Sequence, residues 1–172
     1  MALNLNSLKL NLSRTFPIFL LYFLSMTEID TEFSNLFEIL SFNLPLIVVY
    51  YWMLRAPLVI GNGHVFFAGV INDIITGLPL GTSSLSYLTV SFVASYIRSV
   101  SVEMTLPTDW FTFGIAVFFS NLINLILLNN FSDITILYTE LFYNSLFTIL
   151  FFPGFWIIFN IYSLMMPKVK ND

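Results

Sequence analysis

The sequence has no cysteine, a single histidine and few charges, and each shortage excludes a class of function. Without cysteine there are no disulfides, no thiolate nucleophiles and no cysteine-ligated metal sites. Charged residues make up 9% of the 172 residues, compared with roughly 25% in soluble domains. The 6 basic residues and the net charge of -4 also leave no basic patch of the kind that binds nucleic acid.

Apolar residues dominate instead, at 58% of the chain, with 20 phenylalanines among them. A bilayer core about 30 Å thick needs about 20 apolar residues per helix, so this length holds five or six spans and no soluble catalytic domain. The sequence therefore predicts an all-α integral membrane protein, a single domain over residues 1–172. Apolar runs place its six transmembrane helices at about residues 10–26, 40–54, 58–77, 83–97, 110–128 and 134–166.

The signs of the charges between these spans predict that both termini are cytoplasmic. Cytoplasmic segments tend to carry an excess of Lys and Arg. With the N-terminus inside, all the basic residues lie on the cytoplasmic side: Lys9, Arg14, Arg55, Arg98, Lys168 and Lys170. The charged residues of the outer loops are then all acidic: Glu28, Asp30, Glu32, Glu38, Asp133 and Glu140. Arg55 and Arg98 end the second and fourth spans, where we expect them to be cytoplasmic anchors.

The first span also has the basic start and short apolar run of a signal peptide. The segment that follows it, Ser25-Met26-Thr27-Glu28, has no small-x-small cleavage site. We therefore expect the first span to be retained as a transmembrane helix.

One acidic residue, Asp73, lies inside the third predicted span, where a charge costs about 2.5–3.5 kcal/mol on insertion scales. Gly69 and Gly77 stand four residues before and after it, so the three residues share one helix face. Pro79 and Gly81 are expected to break the helix just beyond. Small residues on a face allow a second helix to approach closely in a membrane. This face either packs internally against another span or docks a helix of a partner protein. We expect the Asp73 carboxylate to bond to a helix end or to a hydroxyl of the fourth span, and the candidate donors are Ser83, Ser84 and Ser86.

The sequence offers no catalytic, cofactor or metal site. His64 has no cysteine and no paired carboxylate near it, which makes it a poor metal ligand. Gly61 and Gly63 do not form a dinucleotide-binding fingerprint, because no strand precedes them and no third glycine follows. No Gly-x-Ser-x-Gly elbow is present. We therefore predict that the protein is not an enzyme.

Three further features lie within the spans. Asn121 and Asn124 are three residues apart, so we expect them to share a face and hydrogen-bond across helices. Pro153 is expected to kink the sixth span. The aromatic residues of the second span are typical of the belt at a membrane interface: Tyr50, Tyr51 and Trp52.

The segment around Asp73 resembles the rod shape-determining protein MreD family. The residues that carry the resemblance are Gly69-x-x-x-Asp73-x-x-x-Gly77-x-Pro79-Leu80-Gly81, followed by Leu85 and Tyr87, and an earlier Arg55-Ala56-Pro57. Chain length, six short spans and the charge layout are similar as well. The resemblance implies a non-enzymatic scaffold of the bacterial inner membrane that binds MreC. Its indirect partners would be MreB, RodA and penicillin-binding protein 2, which work together in cell-wall elongation and maintain rod shape.

The resemblance also implies a bundle similar to the substrate-binding subunits of energy-coupling-factor transporters. That similarity leaves an alternative function open, a small-molecule-binding membrane subunit of a transporter. Such a subunit needs a cavity that opens outward and is lined by several polar side chains, and the spans offer few candidates for one.

Overall fold

The computed structural model describes residues 5–27, 43–100, 105–131 and 138–165, with the side chains of these ranges except those of residues 5–14, 138, 140 and 165. In these ranges the chain forms helices and no strand, so the predicted all-α fold is confirmed for them. The helices are α1 (Leu5–Met26), α2 (Leu44–Arg55), α3 (Pro57–Thr76), α4 (Thr82–Val100), α5 (Leu106–Phe131) and α6 (Tyr138–Met165).

Several predictions about charges fall outside this description. The backbone or the side chain is not described for the following residues: Lys9, Arg14, Glu28, Asp30, Glu32, Glu38, Asp133, Glu140, Lys168 and Lys170. The start of the second predicted span and both ends of the sixth lie outside the described residues too. The orientation of the chain therefore stays a prediction.

Three of the described helices are long and apolar enough to cross a membrane: α3, α5 and residues Leu141–Leu164 of α6. Two apolar stretches are shorter, Thr15–Met26 within α1 and the whole of α2. At 12 residues, α2 is about 18 Å long, which is well short of a bilayer core. The structure thus supports a membrane protein, and the number of six spans stays a prediction.

The short helix α2 lies at the centre of the bundle. Residues 45–54 are all buried, and the helix packs against α1, α3, α4 and α6. A helix that is apolar on every side is buried, either in the core of a protein or in a membrane. The aromatic residues Tyr50, Tyr51 and Trp52 are at most 1% exposed. Their expected place in an interfacial belt was therefore wrong: they form part of the core.

Aromatic rings join α2 to α5 and α6. The ring of Tyr50 lies 5.1 Å from that of Phe113 and 5.7 Å from that of Phe152, and the latter two stack at 4.4 Å. The Tyr50 hydroxyl also shares a hydrogen bond with Thr112. Edge-to-face and offset-stacked pairs of this kind stabilise a core beyond the area that they bury.

The helix that carries Asp73 is broken near its start. Pro57 opens α3 at a position where a missing N–H costs nothing, and Gly61 then departs from helical geometry, with φ 63° and ψ 154°. The regular part of α3 therefore runs from about residue 62 to Thr76. Asp73 lies in the last turn of this helix, beside the connection to α4.

Candidate functional site

The Asp73 carboxylate caps the following helix, α4. Its Oδ2 accepts a hydrogen bond from the Gly81 N–H at 2.7 Å, and its Oδ1 accepts one from the Ser83 N–H at 2.7 Å. Amide N–H groups in the first turn of a helix have no acceptor within the helix. The helix dipole is positive at this end, which favours an anion. The side chain is fully buried. Both carboxyl oxygens are thus hydrogen-bonded to backbone amides.

The main chain of Asp73 also ends α3. Its carbonyl oxygen accepts hydrogen bonds from the N–H groups of Gly77 and Leu78. Gly77 has a positive φ of 67°, the left-handed conformation that commonly terminates helices. Asp73 therefore bonds through its main-chain carbonyl to the residues that end α3, and through its side chain to the amides that begin α4. These bonds fix the turn between the two helices.

Pro79 and Gly81 complete this turn. The Pro79 carbonyl accepts bonds from the amide and the hydroxyl of Thr82, at 3.1 and 2.8 Å. Gly81 has a φ of 105°, which residues with a side chain rarely adopt. The predicted break of the helix is thus a tight, hydrogen-bonded connection between Thr76 and Thr82.

Gly69 brings α3 and α4 into backbone contact. A Cβ atom added at Gly69 would lie 2.3 Å from the Ser84 Cα and 2.5 Å from the Ser84 N. The Ser84 hydroxyl donates to the Phe66 carbonyl at 3.1 Å, and the Asn72 amide donates to the Ser83 hydroxyl at 3.0 Å. Close approach and interhelical hydrogen bonds are both usual in membrane bundles. Here they hold α3 against α4.

The predicted face of small residues is used in two different ways. Gly69 and Asp73 lie against α4, whereas a Cβ atom at Gly77 would meet nothing within 4 Å. Gly77 acts through its backbone conformation and not through packing. In the structure, this face is taken up by internal packing. Of the three candidate donors, Ser83 bonds to Asp73 through its backbone N–H, which is the expected bond to a helix end, and Ser84 and Ser86 bond elsewhere.

A second buried acid, Asp109, was not recognised as a site residue from the sequence. Its Oδ2 lies 3.0 Å from Arg55 Nη2 and accepts a bond from the Trp156 indole N–H at 2.8 Å. The Asp109 side chain is 1% exposed and that of Arg55 is 25% exposed. Arg55 therefore joins α2 to α5, in addition to its expected place at a helix end. The predicted topology puts both residues at the cytoplasmic side, and this was the available signal.

The structure also gives the positions of Arg98, His64 and the two asparagines. Arg98 is exposed in the last turn of α4, where the helix dipole favours a cation. His64 Nδ1 lies 3.1 Å from the Tyr22 hydroxyl of α1.

Asn121 bonds to Ser145 of α6, whereas Asn124 accepts a bond from Ser86 of α4. The expected bonds across helices are therefore present, and they reach two different helices, α6 and α4. In the described part of the chain, no group of three His, Asp or Glu side chains could hold a metal ion.

Pro153 leaves one carbonyl oxygen of α6 without its usual helical hydrogen bond, and a tryptophan of α5 donates a hydrogen bond to that oxygen. Proline has no N–H, so the carbonyl four residues earlier, that of Ile149, lacks its usual helical donor. The Trp110 indole N–H donates to this oxygen at 2.8 Å. Trp110 follows Asp109 directly, and Asp109 binds Trp156 on the other side of Pro153. Two adjacent residues of α5 thus hold α6 on both sides of its proline.

Replacing Trp110 by phenylalanine is expected to lower the free energy of unfolding, and the cost should depend on residue 153. The cost should be about 1 kcal/mol larger in the natural chain than in a Pro153→Ala background. In that background residue 153 has an N–H, which bonds to the Ile149 carbonyl and makes the indole redundant. Unfolding of the four proteins in mild detergent measures this coupling. An equal cost of Trp110→Phe in both backgrounds would contradict the proposed role of the indole.

Comparison with known proteins gives no match for this chain among family models, curated proteins or solved structures.

Proposed function

We propose that the protein is a non-enzymatic scaffold of the bacterial inner membrane, of the MreD type, that binds MreC in the cell-wall elongation machinery. The observation that supports this proposal is the structure of the segment that carries the resemblance. Gly69 sets the distance between two helices, Asp73 bonds to both helix ends, and the segment from Gly77 to Gly81 forms the turn between them. The spaced residues thus act together as one structural unit, as a specific motif would.

A unit of this kind suits a scaffold because it fixes the angle and the separation of two helices. Polar side chains of α3 and α4 join the two helices to each other at three places: Asn62 to Ser91, Asn72 to Ser83, and Ser84 to the Phe66 carbonyl. A rigid bundle can present the same surface to a partner at all times, which lowers the entropy lost on binding. MreB, RodA and penicillin-binding protein 2 would be reached through MreC.

The transporter-subunit alternative has less support from the described residues. Its expected cavity would be lined by several polar side chains. The two cavities between α5 and α6 are instead lined by apolar residues, apart from Asn121 and Ser145. Those two side chains bond to each other.

Co-purification tests the scaffold proposal. A tagged form of the chain, produced together with the MreC protein of the same bacterium, is expected to retain MreC through purification in mild detergent. An unrelated single-pass membrane protein serves as the control and should be lost. Asp73→Leu is expected to lower the recovery of MreC, because the turn that orients α3 and α4 loses its central bonds. Ile74→Leu, on the exposed side of the same helix, should not.

Failure of the natural chain to retain MreC would overturn the proposal. Full retention by Asp73→Leu would show that the turn does not contribute to binding. Gel filtration of each variant shows whether the bundle is still folded, so a loss of MreC can be assigned to the surface and not to aggregation.

A further inference from the structure

The break near the start of α3 leaves main chain and polar groups exposed. Gly61 departs from helical geometry, and the three residues that follow it are exposed: Asn62, Gly63 and His64. A Cβ atom added at Gly61 or Gly63 would meet nothing within 4 Å, so the main chain lies beside open space. The first N–H groups of a helix have no acceptor within it. The surroundings of the break therefore have to supply hydrogen bonds.

Contacts through α4 place the break level with the middle of α5. Asn62 accepts a bond from Ser91 of α4. Five positions before Ser91, Ser86 bonds to Asn124 and to the Ser120 carbonyl of α5. The chain between α4 and α5 is short and the two helices pack together, so they run antiparallel. Five positions are about 7.5 Å of helix, which puts Asn62 level with residues 115–119 of α5.

This level lies deep in the hydrocarbon of the bilayer. Residues 115–119 are the middle of α5, a 26-residue helix that is long and apolar enough to cross a membrane. The length of α3 leads to the same depth, because its regular part rises only about 21 Å from residue 62 to Thr76. The bilayer core is about 30 Å thick. With Thr76 at one interface, the break thus lies inside the core.

Lipid chains do not meet the needs of an exposed break at this depth. Irregular backbone within the hydrocarbon region is tolerated only where it is buried in protein or lines a water-filled cavity. In the described part of the chain, residues 62–64 are exposed, so the bundle itself does not bury them. Water supplies both donors and acceptors and fits beside glycines that leave open space.

The exposed side chains on either side of the break show where water enters. Toward Thr76, the exposed side chains of α3 are apolar and suit lipid: Phe66, Phe67 and Ile74. In the opposite direction, the exposed Arg98 lies seven positions beyond Ser91 in α4, or about 11 Å along the helix. A charge at that level belongs to the membrane interface. The path from the break to the interface at Arg98 is therefore shorter than one leaflet, which is about 15 Å thick.

We infer that the open space beside Gly61 and Gly63 is a water-filled recess, which enters the bundle from the end that carries Arg98 and reaches the middle of the bilayer. His64, whose Nδ1 lies 3.1 Å from the Tyr22 hydroxyl, stands at its inner end. The recess brings solvent water and its protons to an imidazole halfway across the membrane. This inference goes beyond the proposed function and does not depend on it, because it rests on the depth and exposure of α3.

Labelling of single cysteines tests the recess, because the natural chain has no cysteine. Gly63→Cys, Ser99→Cys and Phe118→Cys are each purified and placed in sealed phosphatidylcholine vesicles. The probe is a charged maleimide that does not cross membranes and that reacts with the thiolate, which forms in water. Gly63→Cys is expected to react within about tenfold of Ser99→Cys, which lies at the mouth of the recess. Phe118→Cys, at the depth of the break and with a native side chain 62% exposed, should react at least about 100-fold more slowly.

A double variant tests the direction in which the recess opens. In sealed vesicles the added probe acts from one side only, whichever way each molecule is inserted. Chains of Gly63→Cys/Ser99→Cys are therefore expected to carry two labels or none, as counted by mass spectrometry. A majority of chains with a single label would overturn an opening at the Arg98 end.

Hydrogen exchange of the natural chain in the same vesicles tests the recess without any substitution. The amides of residues 62–64 are expected to exchange at least about 100-fold faster than those of residues 115–119 at the same depth. Gel filtration shows whether each cysteine variant is still folded. Equal protection of the two segments would overturn the recess. Labelling of folded Gly63→Cys as slow as that of Phe118→Cys would do so too, because lipid or a second copy of the chain would then cover the break.

Discussion

Alanine at position 69 is expected to destabilise the protein by about 3 kcal/mol or more, the upper range for overpacking a tightly packed site. The added Cβ would lie 2.3 Å from the Ser84 Cα, and backbone cannot rotate away as a side chain can. The helices α3 and α4 would have to separate by more than an ångström. That separation would also weaken the hydrogen bond from Ser84 to Phe66. Thermal or denaturant unfolding in mild detergent, followed by tryptophan fluorescence, measures the loss.

Gly63→Ala is the matched control for this prediction. Gly63 lies in the same helix, and a Cβ atom there would meet nothing within 4 Å. Alanine has the higher helix propensity, so this change should be neutral or stabilise the protein by up to about 1 kcal/mol. If Gly69→Ala were as well tolerated as Gly63→Ala, the close contact between α3 and α4 would not be a feature of the folded protein.

Removal of the Asp73 carboxylate is expected to cost about 3–4 kcal/mol in Asp73→Ala, since two amide donors, one buried and one half-buried, lose their common acceptor. These are the N–H groups of Gly81 and Ser83, which begin α4. Asp73→Asn should cost less, because its amide oxygen still accepts one of the two bonds. Hydrogen exchange followed by mass spectrometry should show faster exchange over residues 81–85, together with the lower unfolding temperature.

The neighbouring residue Ile74 provides the control for this change. Its side chain is 65% exposed, so Ile74→Ala is expected to alter stability by no more than about 0.5 kcal/mol. Unchanged exchange over residues 81–85 in Asp73→Ala would show that the carboxylate does not cap α4. The bond between Asn72 and Ser83 would then be the contact that holds the start of the helix.

Local patterns in the sequence predicted the features that depend on a few adjacent residues. The turn after Thr76 follows from Gly77, Pro79 and Gly81, because their backbone preferences act within the turn itself. The close approach at Gly69 follows from the spacing of small residues on one face. The content of apolar residues was likewise sufficient to predict a helical membrane protein.

Features that depend on distant residues were predicted poorly. The aromatic residues of α2 were assigned to an interface because the sequence does not reveal that four other helices surround this short helix. Asn121 and Asn124 bond to two different helices, α6 and α4, a result that their spacing alone could not distinguish from one shared partner. The ion pair of Asp109 and Arg55 joins residues 54 positions apart.

Asp73 shows the division most clearly. The sequence by itself determined that an acid would lie beside a helix break in an apolar segment, since hydropathy and turn residues are local properties. Only the tertiary structure decided its partners. A helix end and a hydroxyl of the next span were both expected as partners. The start of α4 brings backbone amides to the carboxylate, where the helix leaves them without acceptors. The direction in which α4 leaves the turn selects those amides, and that direction depends on its packing against α2, α3 and α5.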